Sequence, residues 1–398
     1  MSKIKATILL TVFIDVIGFG IVIPILPFYV AGYSSSALLL TSLFSVYALC
    51  AFLSAPLIGA LSDRFGRRPM LIMSIFSTAL GWFVFAWAPS IPFLFLGRIL
   101  DGIMAGNLPI AQSYLSDVAK DEKERTTNMG FIGAIWGIAF IVGPMLGGVL
   151  GHLGNTVPFW FVGFLAFGNG ILALFLLVET NTMLSTRAVS LNPFTPLKRA
   201  IKNQSLRINY LAWFLFGLAI ANYQSVFSLY FRDVFGFNEL NVGVIFGLTG
   251  IVIALNQGFA MKHLWLKFFK EPILELCMLA IFASGFFLLS SSILFVVGIA
   301  LLLTTFGQSI LRVVMTSQVV GVSPKDQRGE ALGIMSSITS LSMMVGPVLA
   351  GFMYESNNTI PFYFGALCLL VAFWFLYQKR KELEAMSLPE DVVMESMI

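Results

Sequence analysis

The chain has 398 residues, of which 58% are hydrophobic and only 11% charged. A soluble domain carries about 25% charge, and no water-soluble core could hide this much apolar surface, so the solvent must be lipid. The formal net charge of +4 does not point to nucleic acid, because the basic residues are spread over many loops.

Twelve apolar segments are long enough to cross a bilayer, since roughly 20 residues at ~1.5 Å rise cover a ~30 Å hydrocarbon core. They are rich in Phe, Leu, Ile and Gly without dyad alternation, which predicts a helical bundle and not a barrel. They lie near 6–30, 38–61, 69–88, 92–114, 127–150, 158–178, 208–230, 240–261, 272–290, 293–318, 330–352 and 360–377. An even number of spans places both termini on one side.

The first span follows Lys3 and Lys5 and so begins like a secretory signal. It is too long for one, carries Asp15, and ends in Pro24-x-x-Pro27-x-Tyr29 with no small-residue cleavage site, so it is expected to be retained. Between spans 2 and 3 stands Gly59-Ala-Leu-Ser-Asp63-Arg64-Phe-Gly66-Arg67-Arg68-Pro69, with four charges in eleven residues. Gly59 and Gly66 would let helices and loop approach closely. Asp63 could accept from the orphan N–H groups of a nearby helix N-terminus, and Arg64, Arg67 and Arg68 could hold carboxylates or carbonyls at neighbouring helix ends.

Span 4 contains Gly97-Arg98-Ile-Leu-Asp101-Gly102-x-x-x-Gly106-Asn107. Arg98 and Asp101 are three apart and share one helix face. With Asp15 in span 1 and Arg312 in span 10 they make four intramembrane charges that sum to zero. Each costs at least ~2.5–3.5 kcal/mol alone in lipid, so they are expected to pair and to face the bundle interior. We expect Asp15 to lie near Arg98, which leaves Asp101 as the proton-titrating group. Span 5 carries Gly133-x-x-x-Gly137 followed by Gly143-Pro144-x-x-Gly147-Gly148; Pro144 should kink the helix and the glycines should let another helix pack on the bend.

The longest polar gap, 179–207, holds Arg187, Lys198, Arg199 and Lys202, with Pro193 and Pro196 breaking any long helix. It separates an N-terminal bundle (1–178) from a C-terminal bundle (208–378) and a tail (379–398). The halves repeat at one fixed offset: Gly143-Pro144 returns as Gly346-Pro347, Arg125 as Arg328, Gly130 as Gly333, Gly148 as Gly351, and Pro158-Phe159 as Pro361-Phe362. Two similarly oriented six-helix bundles are therefore expected. Polar or aromatic candidates for a cavity between them are Tyr47, Gln112, Trp136, Asn222, Tyr223, Gln224, Asn256, Gln257 and Gln308. Of the 24 Lys and Arg, all but Arg98, Arg312 and Arg232 fall in the termini or the even-to-odd loops, which predicts cytoplasmic termini.

The remaining residues exclude other chemistries. Cys50, Cys277 and Cys368 are far apart inside apolar segments, and His152 and His263 lie in loops on opposite predicted sides, so no metal site, disulfide or cofactor is expected. No nucleophile–base constellation suggests an enzyme.

The loop around Asp63, the Gly97-Arg98 span and the Gly143-Pro144 element resemble motifs of the major facilitator superfamily. Together with Phe13-Ile-Asp15-x-x-Gly18-Phe-Gly20-x-x-x-Pro24-x-x-Pro27, they look like its drug:proton antiporters, the tetracycline-efflux branch included. The resemblance implies a monomer of the inner or cytoplasmic membrane that exchanges protons for small lipophilic or amphipathic molecules. It also implies a cytoplasmic latch at Gly59, Asp63, Arg64, Gly66, Arg67 and Arg68, and a hinge at Gly143, Pro144, Gly147, Gly148, Gly346 and Pro347. Two departures stand out. The tetracycline branch carries an acid within span 3, where Ser77-Thr-Ala-Leu-Gly81-Trp82 has none, and a His in span 8 with an acid within span 9, where Asn256-Gln257 and only the terminal Glu275 stand. A proton-coupled importer, or an anion or lipid transporter, is the alternative on the same fold; a non-transporting sensor or scaffold would be expected to have lost the motifs.

Overall fold

Hydrocarbon offers backbone N–H and C=O groups no partners, so a chain dissolved in it must bond to itself along each segment. The computed structural model describes residues 3–119, 121–180, 192–324 and 327–387, and among these every regular element is a helix. Residues 181–191 of the predicted linker and 388–398 of the predicted tail lie outside them. Twelve helices are long and apolar enough to cross a membrane. They are spans 1 to 12: Lys5–Val30, Ala37–Phe65, Arg67–Trp87, Ile91–Asp117, Thr127–Leu153, Val157–Leu176, Arg207–Phe235, Glu239–Phe268, Glu271–Leu289, Leu294–Val322, Arg328–Ser356 and Ile360–Lys381. All twelve predicted segments are found, and the chain is a multi-pass all-helical membrane protein.

Two spans are interrupted in ways the apolar pattern did not reveal. Span 4 consists of two helices, Ile91–Ile103 and Asn107–Asp117. Pro109 lacks the N–H that Ala105 would need, and Gly102 and Gly106 resist the helix. Serines of adjacent helices repair the break. Ser74 donates to the Met104 carbonyl and accepts from Gly106 N (3.1 Å), while Ser54 donates to the Gly102 carbonyl (3.0 Å). Span 8 changes from an α-helix to a π-helix over Asn256–Trp265. Asn256 lies inside this segment, accepting from Trp265 Nε1 (2.6 Å) and donating to Ser309 Oγ (2.5 Å). In contrast, span 5 runs unbroken through Pro144 and span 11 through Pro347. Within the linker, Thr195–Lys202 form a short helix with Pro196 in its first turn, where a missing N–H costs nothing. Arg199 pairs with Glu330 at 2.8 Å, and Ala200 and Leu206 pack with Tyr210, Val319, Ile334 and Ile338.

The chain divides into two compact units. One comprises Met1–Thr195, Ala221–Leu255 and Met343–Pro361; the other comprises Pro196–Ile220, Asn256–Ser342 and Phe362–Ile398. In the first unit, span 1 packs on spans 5 and 6, and span 3 on spans 4 and 6. Tyr29, Trp82, Phe85 and Phe159 form its aromatic centre, with Trp82 stacked on Phe159 at 6.1 Å. Span 5 also packs along the first part of span 8. In the second unit, spans 9 and 10 are the main pair, and Phe216, Phe282 and Phe286 fill the core.

A close approach of two backbones lies between spans 3 and 4. A Cβ on Gly81 would meet the Gly97 carbonyl oxygen and Asp101 N, each at 2.8 Å; one on Gly97 would meet the Gly81 carbonyl at 2.8 Å. Gly81→Ala should therefore overpack this seam, cost about 1–3 kcal/mol and lower the melting temperature of the purified protein. Gly133→Ala, whose methyl meets nothing within 4 Å, should melt like the native chain. Equal melting of the two variants would contradict the seam.

Candidate functional site

The Gly81–Gly97 contact brings their successors together, and these are Trp82 and Arg98. The guanidinium carbon of Arg98 lies 3.9 Å from the Trp82 ring centroid and 4.5 Å from that of Phe85. Arg98 and Asp101 are both buried, and Nη1 of Arg98 stands 3.5 Å from Oδ2 of Asp101. Nε and Nη2 of Arg98 have no hydrogen-bond acceptor among the described residues. The ring faces take that role, since a desolvated cation over an aromatic gains about 2 kcal/mol or more. Trp82 and Phe85 carried no signal in the sequence beyond being apolar, although their spacing puts them on one face of span 3.

Asp15 is not the partner of Arg98, contrary to expectation. Its Oδ1 accepts from Nδ2 of Asn107 at 2.7 Å, and the same nitrogen lies 3.3 Å from Thr78 Oγ1. Thr78 also stands close to Asp101. The break in span 4 is the cause: it restarts the helix at Asn107 and points this residue at span 1, a turn that sequence spacing cannot foresee. The result is a polar cluster of Asp15, Asn107, Thr78, Asp101 and Arg98 drawn from spans 1, 3 and 4. Tyr47 of span 2 lies within electrostatic reach of Asp15, Arg98 and Asp101. The Asn107 side-chain oxygen is buried and unpaired. Asp101, expected to stand without a private partner, has one in Arg98. Arg312 belongs to the second unit, is exposed, and forms no ion pair within that unit among the described residues, so the expected pairing of all four charges does not hold.

The cavity candidates divide. Gln112, Gln257 and Arg312 are exposed, and Tyr47, Trp136, Gln224 and Gln308 are half-buried. Trp136 stacks on Phe140 at 5.8 Å. Asn222 is 0% exposed and Tyr223 and Asn256 are also buried, so they do not line an open surface. Gly346 packs on Ala221 and the backbone nitrogen of Asn222, whose side-chain amide is buried with no hydrogen-bond partner among the described residues. Asn256 is consumed by Ser309 and Trp265, and Gln257 donates to the Ser309 carbonyl at 3.1 Å.

The hinge glycines have distinct neighbours. Gly143 lies against Gly20 and Ile17 of span 1, and Gly147 against Ile21. Gly148 lies against Glu239 and Leu240 of span 8. Gly133 and Gly137, by contrast, have nothing within 4 Å of an added methyl, so only the Gly143-Pro144-x-x-Gly147-Gly148 part of the element serves close packing.

The Asp63 loop is built around a residue that sequence reading missed. Glu179, just beyond span 6, accepts from the backbone N–H groups of Arg67 (2.9 Å) and Arg68 (3.0 Å). It thereby caps span 3, which has no acid in its own first turn. Gly66 turns the chain with φ +104°, and any Cβ there would strike the Glu179 carboxylate. Asp63 instead holds Arg67 at 2.5 Å, one helical turn away, and Arg67 also reaches Asp117 at 3.3 Å. Arg68 donates to the Leu174 carbonyl at 2.8 Å, while exposed Arg64 lies over Phe65. Gly59 makes no close approach, since a methyl there would meet nothing within 4 Å. The second unit has a corresponding arrangement with the charges exchanged. Glu275 at the start of span 9 is buried and paired with Arg380 at the end of span 12, and Ser317 of span 10 donates to Glu271 at 3.0 Å. An acid at this position was visible in the sequence, but its partner lies over a hundred residues away.

The sequence matches the Major Facilitator Superfamily over residues 8–274 and 265–390, and the chain belongs to that family of secondary transporters. It is 26% identical over 372 residues to multidrug resistance protein 2 of Bacillus subtilis, covering 92% of each chain. It is 28% identical over 378 residues to the class C tetracycline resistance protein of Escherichia coli, covering 92% of this chain and 94% of that one. The fold is also that of the human organic anion transporter MFSD10 (TETRAN), at 23% identity and a TM-score of 0.68, over 94% of this chain and 99% of that one.

The pairing of Arg98 with Asp101 makes a stability prediction. Arg98→Ala strands a carboxylate in a dry site and should cost about 3–5 kcal/mol. The double variant Arg98→Ala/Asp101→Ala removes both charges and should unfold at a higher temperature than Arg98→Ala alone. Additive losses in thermal unfolding would show that the two residues do not form a unit.

Proposed function

We propose that this chain is a proton-coupled exporter of lipophilic or amphipathic small molecules, seated in the inner or cytoplasmic membrane with both termini in the cytoplasm. The observation that carries the reading is the cluster of Asp15, Asn107, Thr78, Asp101 and Arg98 among apolar spans. Intramembrane carboxylates are costly, and they are kept where ions or protons move. The names of the two bacterial relatives support the substrate class, since multidrug and tetracycline resistance proteins of this family would act on bulky, partly apolar compounds. The distribution of Lys and Arg supports the sidedness.

Asp15 is the proton carrier in this reading. Asp101 has an arginine opposite it, whereas Asp15 faces an amide, so its charge is the less compensated of the two. Ionised Asp15 accepts from Asn107 Nδ2. Protonated Asp15 can donate instead to the unpaired Asn107 oxygen once the amide turns over, because a carboxylic acid has a donor and a carboxylate has none. The turned amide changes what Thr78, and behind it Asp101, receives. Protonation on one span thereby reaches the Arg98–Asp101 pair on another, next to Trp82 and Phe85. The latch role carried over for Asp63 fits its position beside Arg67, which joins the ends of spans 2, 3 and 4.

Arg312 favours a second reading. An exposed arginine without an ion pair in its unit would suit an anionic group on the substrate, so amphipathic organic anions are the alternative cargo.

Transport into inverted membrane vesicles, with and without an imposed pH gradient, tests the proposal. Asp15→Asn should abolish gradient-driven accumulation of a cationic or zwitterionic dye, a fall of roughly a hundredfold or more if one essential proton-transfer group is lost, while dye binding persists. Asp63→Asn should slow transport without unfolding the protein. Full accumulation by Asp15→Asn vesicles would move the proton site elsewhere, and absence of any gradient-driven uptake by the native chain would overturn the exporter reading.

A further inference from the structure

At the fixed offset that relates the two sequence halves, Arg64, Phe65, Arg67 and Pro69 return as Lys267, Phe268, Lys270 and Pro272. The geometry of the first pair returns with them. Arg64 lies 5.6 Å from the Phe65 ring centroid, and Lys267 lies 5.5 Å from that of Phe268. The acid does not return: the position of Asp63 is taken by Leu266, which is exposed. In the first half, Arg67 has Asp63 and Asp117 for partners, and Arg68 has the Leu174 carbonyl. In the second unit, Lys262, Lys267 and Lys270 are all exposed, and none has a hydrogen bond or an ion pair among the described residues. The acids nearby in sequence are engaged elsewhere. Glu271 accepts from Ser317 at 3.0 Å, and Glu275 pairs with Arg380.

Span 8 explains where these lysines stand. It runs Glu239–Phe268, and a hydrocarbon core takes up roughly 20 residues of a helix. The stretch from Lys262 onward therefore lies at the level of the lipid headgroups. Within the π-helix Asn256–Trp265, only Asn256 and Met261 are buried. Trp265 turns back and donates to Asn256 Oδ1 at 2.6 Å, and its ring lies 6.4 Å from that of Phe306 on span 10. Asn256 donates to Ser309 of the same span at 2.5 Å. These contacts pin one edge of the segment to the second unit. Phe259, Leu264, Phe268 and Phe269 are left exposed among the lysines.

We infer that the end of span 8 is a binding site for an anionic phospholipid, its headgroup held by Lys262, Lys267 and Lys270. Eight spans bring the chain back to the side of its N-terminus, so the lipid belongs to the leaflet on that side. Charge and composition select this occupant. Three unneutralised cations attract an anionic headgroup, and their ammonium groups donate to its phosphate oxygens. The same cations alternate with exposed aromatic and aliphatic side chains. A phospholipid is an anion that brings acyl chains to cover these, whereas a soluble anion would leave them bare. Each lysine has an apolar stem that stays beside the acyl chains while its charge reaches the headgroup. The first half offers no such set, since Arg67 and Arg68 are occupied by groups of the protein itself. The site needs the membrane placement of the fold and is independent of transport and its direction.

Thermal unfolding of the purified full chain in detergent, titrated with phosphatidylglycerol or with phosphatidylcholine of the same acyl chains, tests the site. Phosphatidylglycerol should raise the melting temperature saturably, because a ligand of the folded state stabilises it by mass action. Phosphatidylcholine should not. Lys267→Gln should raise the half-maximal concentration about fivefold, the share of one lysine at an anionic surface, and Lys267→Arg should restore it. Lys262→Gln/Lys267→Gln/Lys270→Gln should raise it about a hundredfold on the same scale. Lys202→Gln, on the linker helix, should titrate like the native chain. Equal shifts with the two lipids, or a native midpoint in the triple variant, would overturn the site. So would an equal loss in Lys202→Gln, which would mean diffuse attraction to basic loops. A Lys267-dependent shift produced by glycerol 3-phosphate alone would make this a site for free phosphate and overturn the lipid assignment.

Discussion

Helices dissolved in hydrocarbon gain nothing by hiding apolar side chains from one another, so what joins them must be close contact between backbones or polar groups with no other partner. The contact between Gly81 and Gly97 is the one on which the first unit depends. It sets spans 3 and 4 against each other so closely that no methyl fits between, and it fixes the register of everything that follows on both helices. Trp82 follows Gly81 and Arg98 follows Gly97, so the same contact slides the guanidinium over the indole. A wider seam would leave Arg98 with a single distant carboxylate and no cover. A membrane-buried arginine is tolerated here because of a glycine in each of two adjacent helices.

The same economy runs through the polar groups. Each interruption or start of a helix leaves a carbonyl or an amide without its partner, and a side chain from elsewhere in the fold supplies it: Ser74 and Ser54 at the break in span 4, Ser228 at the Ile23 carbonyl, Glu179 at the start of span 3, Glu355 at the start of span 2. In water such groups could wait for solvent. In lipid their satisfaction is what places one helix relative to the next. The break in span 4 thus has a double role, freeing backbone groups that bind span 3 and aiming Asn107 at Asp15.

Much of this fold was legible because composition and span length leave few solutions: an apolar chain with twelve long segments has to be a helical membrane protein. The Arg98–Asp101 proximity was legible as well, since three residues apart on a helix is a local relation. The assignment of Asp15 to Arg98 failed because it was a relation between helices, and it depended on how a broken span resumes after Gly106. The burial of Asn256 went unforeseen for the same reason: polarity marks a residue as needing a partner but does not say whether that partner is a ligand, a backbone or a neighbouring serine. Glu179 stood at the edge of a charged linker, where one acid among many bases has no visible purpose until the empty helix end beside it is known.

The ends of spans 3 and 9 carry matching clamps of opposite sign. In the first half, Arg67 and Arg68 open span 3 and Glu179 closes span 6; in the second, Glu271 and Glu275 open span 9 and Arg380 closes span 12. Sequence halves that recur at one fixed offset offer similar helix ends to a newly inserted helix. A span 6 that settled against span 9 would bring Glu179 to Glu271 and Glu275, and a span 12 that settled against span 3 would bring Arg380 to Arg67 and Arg68. Like charges meeting at a helix end destabilise each wrong union, while each right one joins opposites. The exchanged signs set apart helix ends that the recurring sequence would otherwise leave alike.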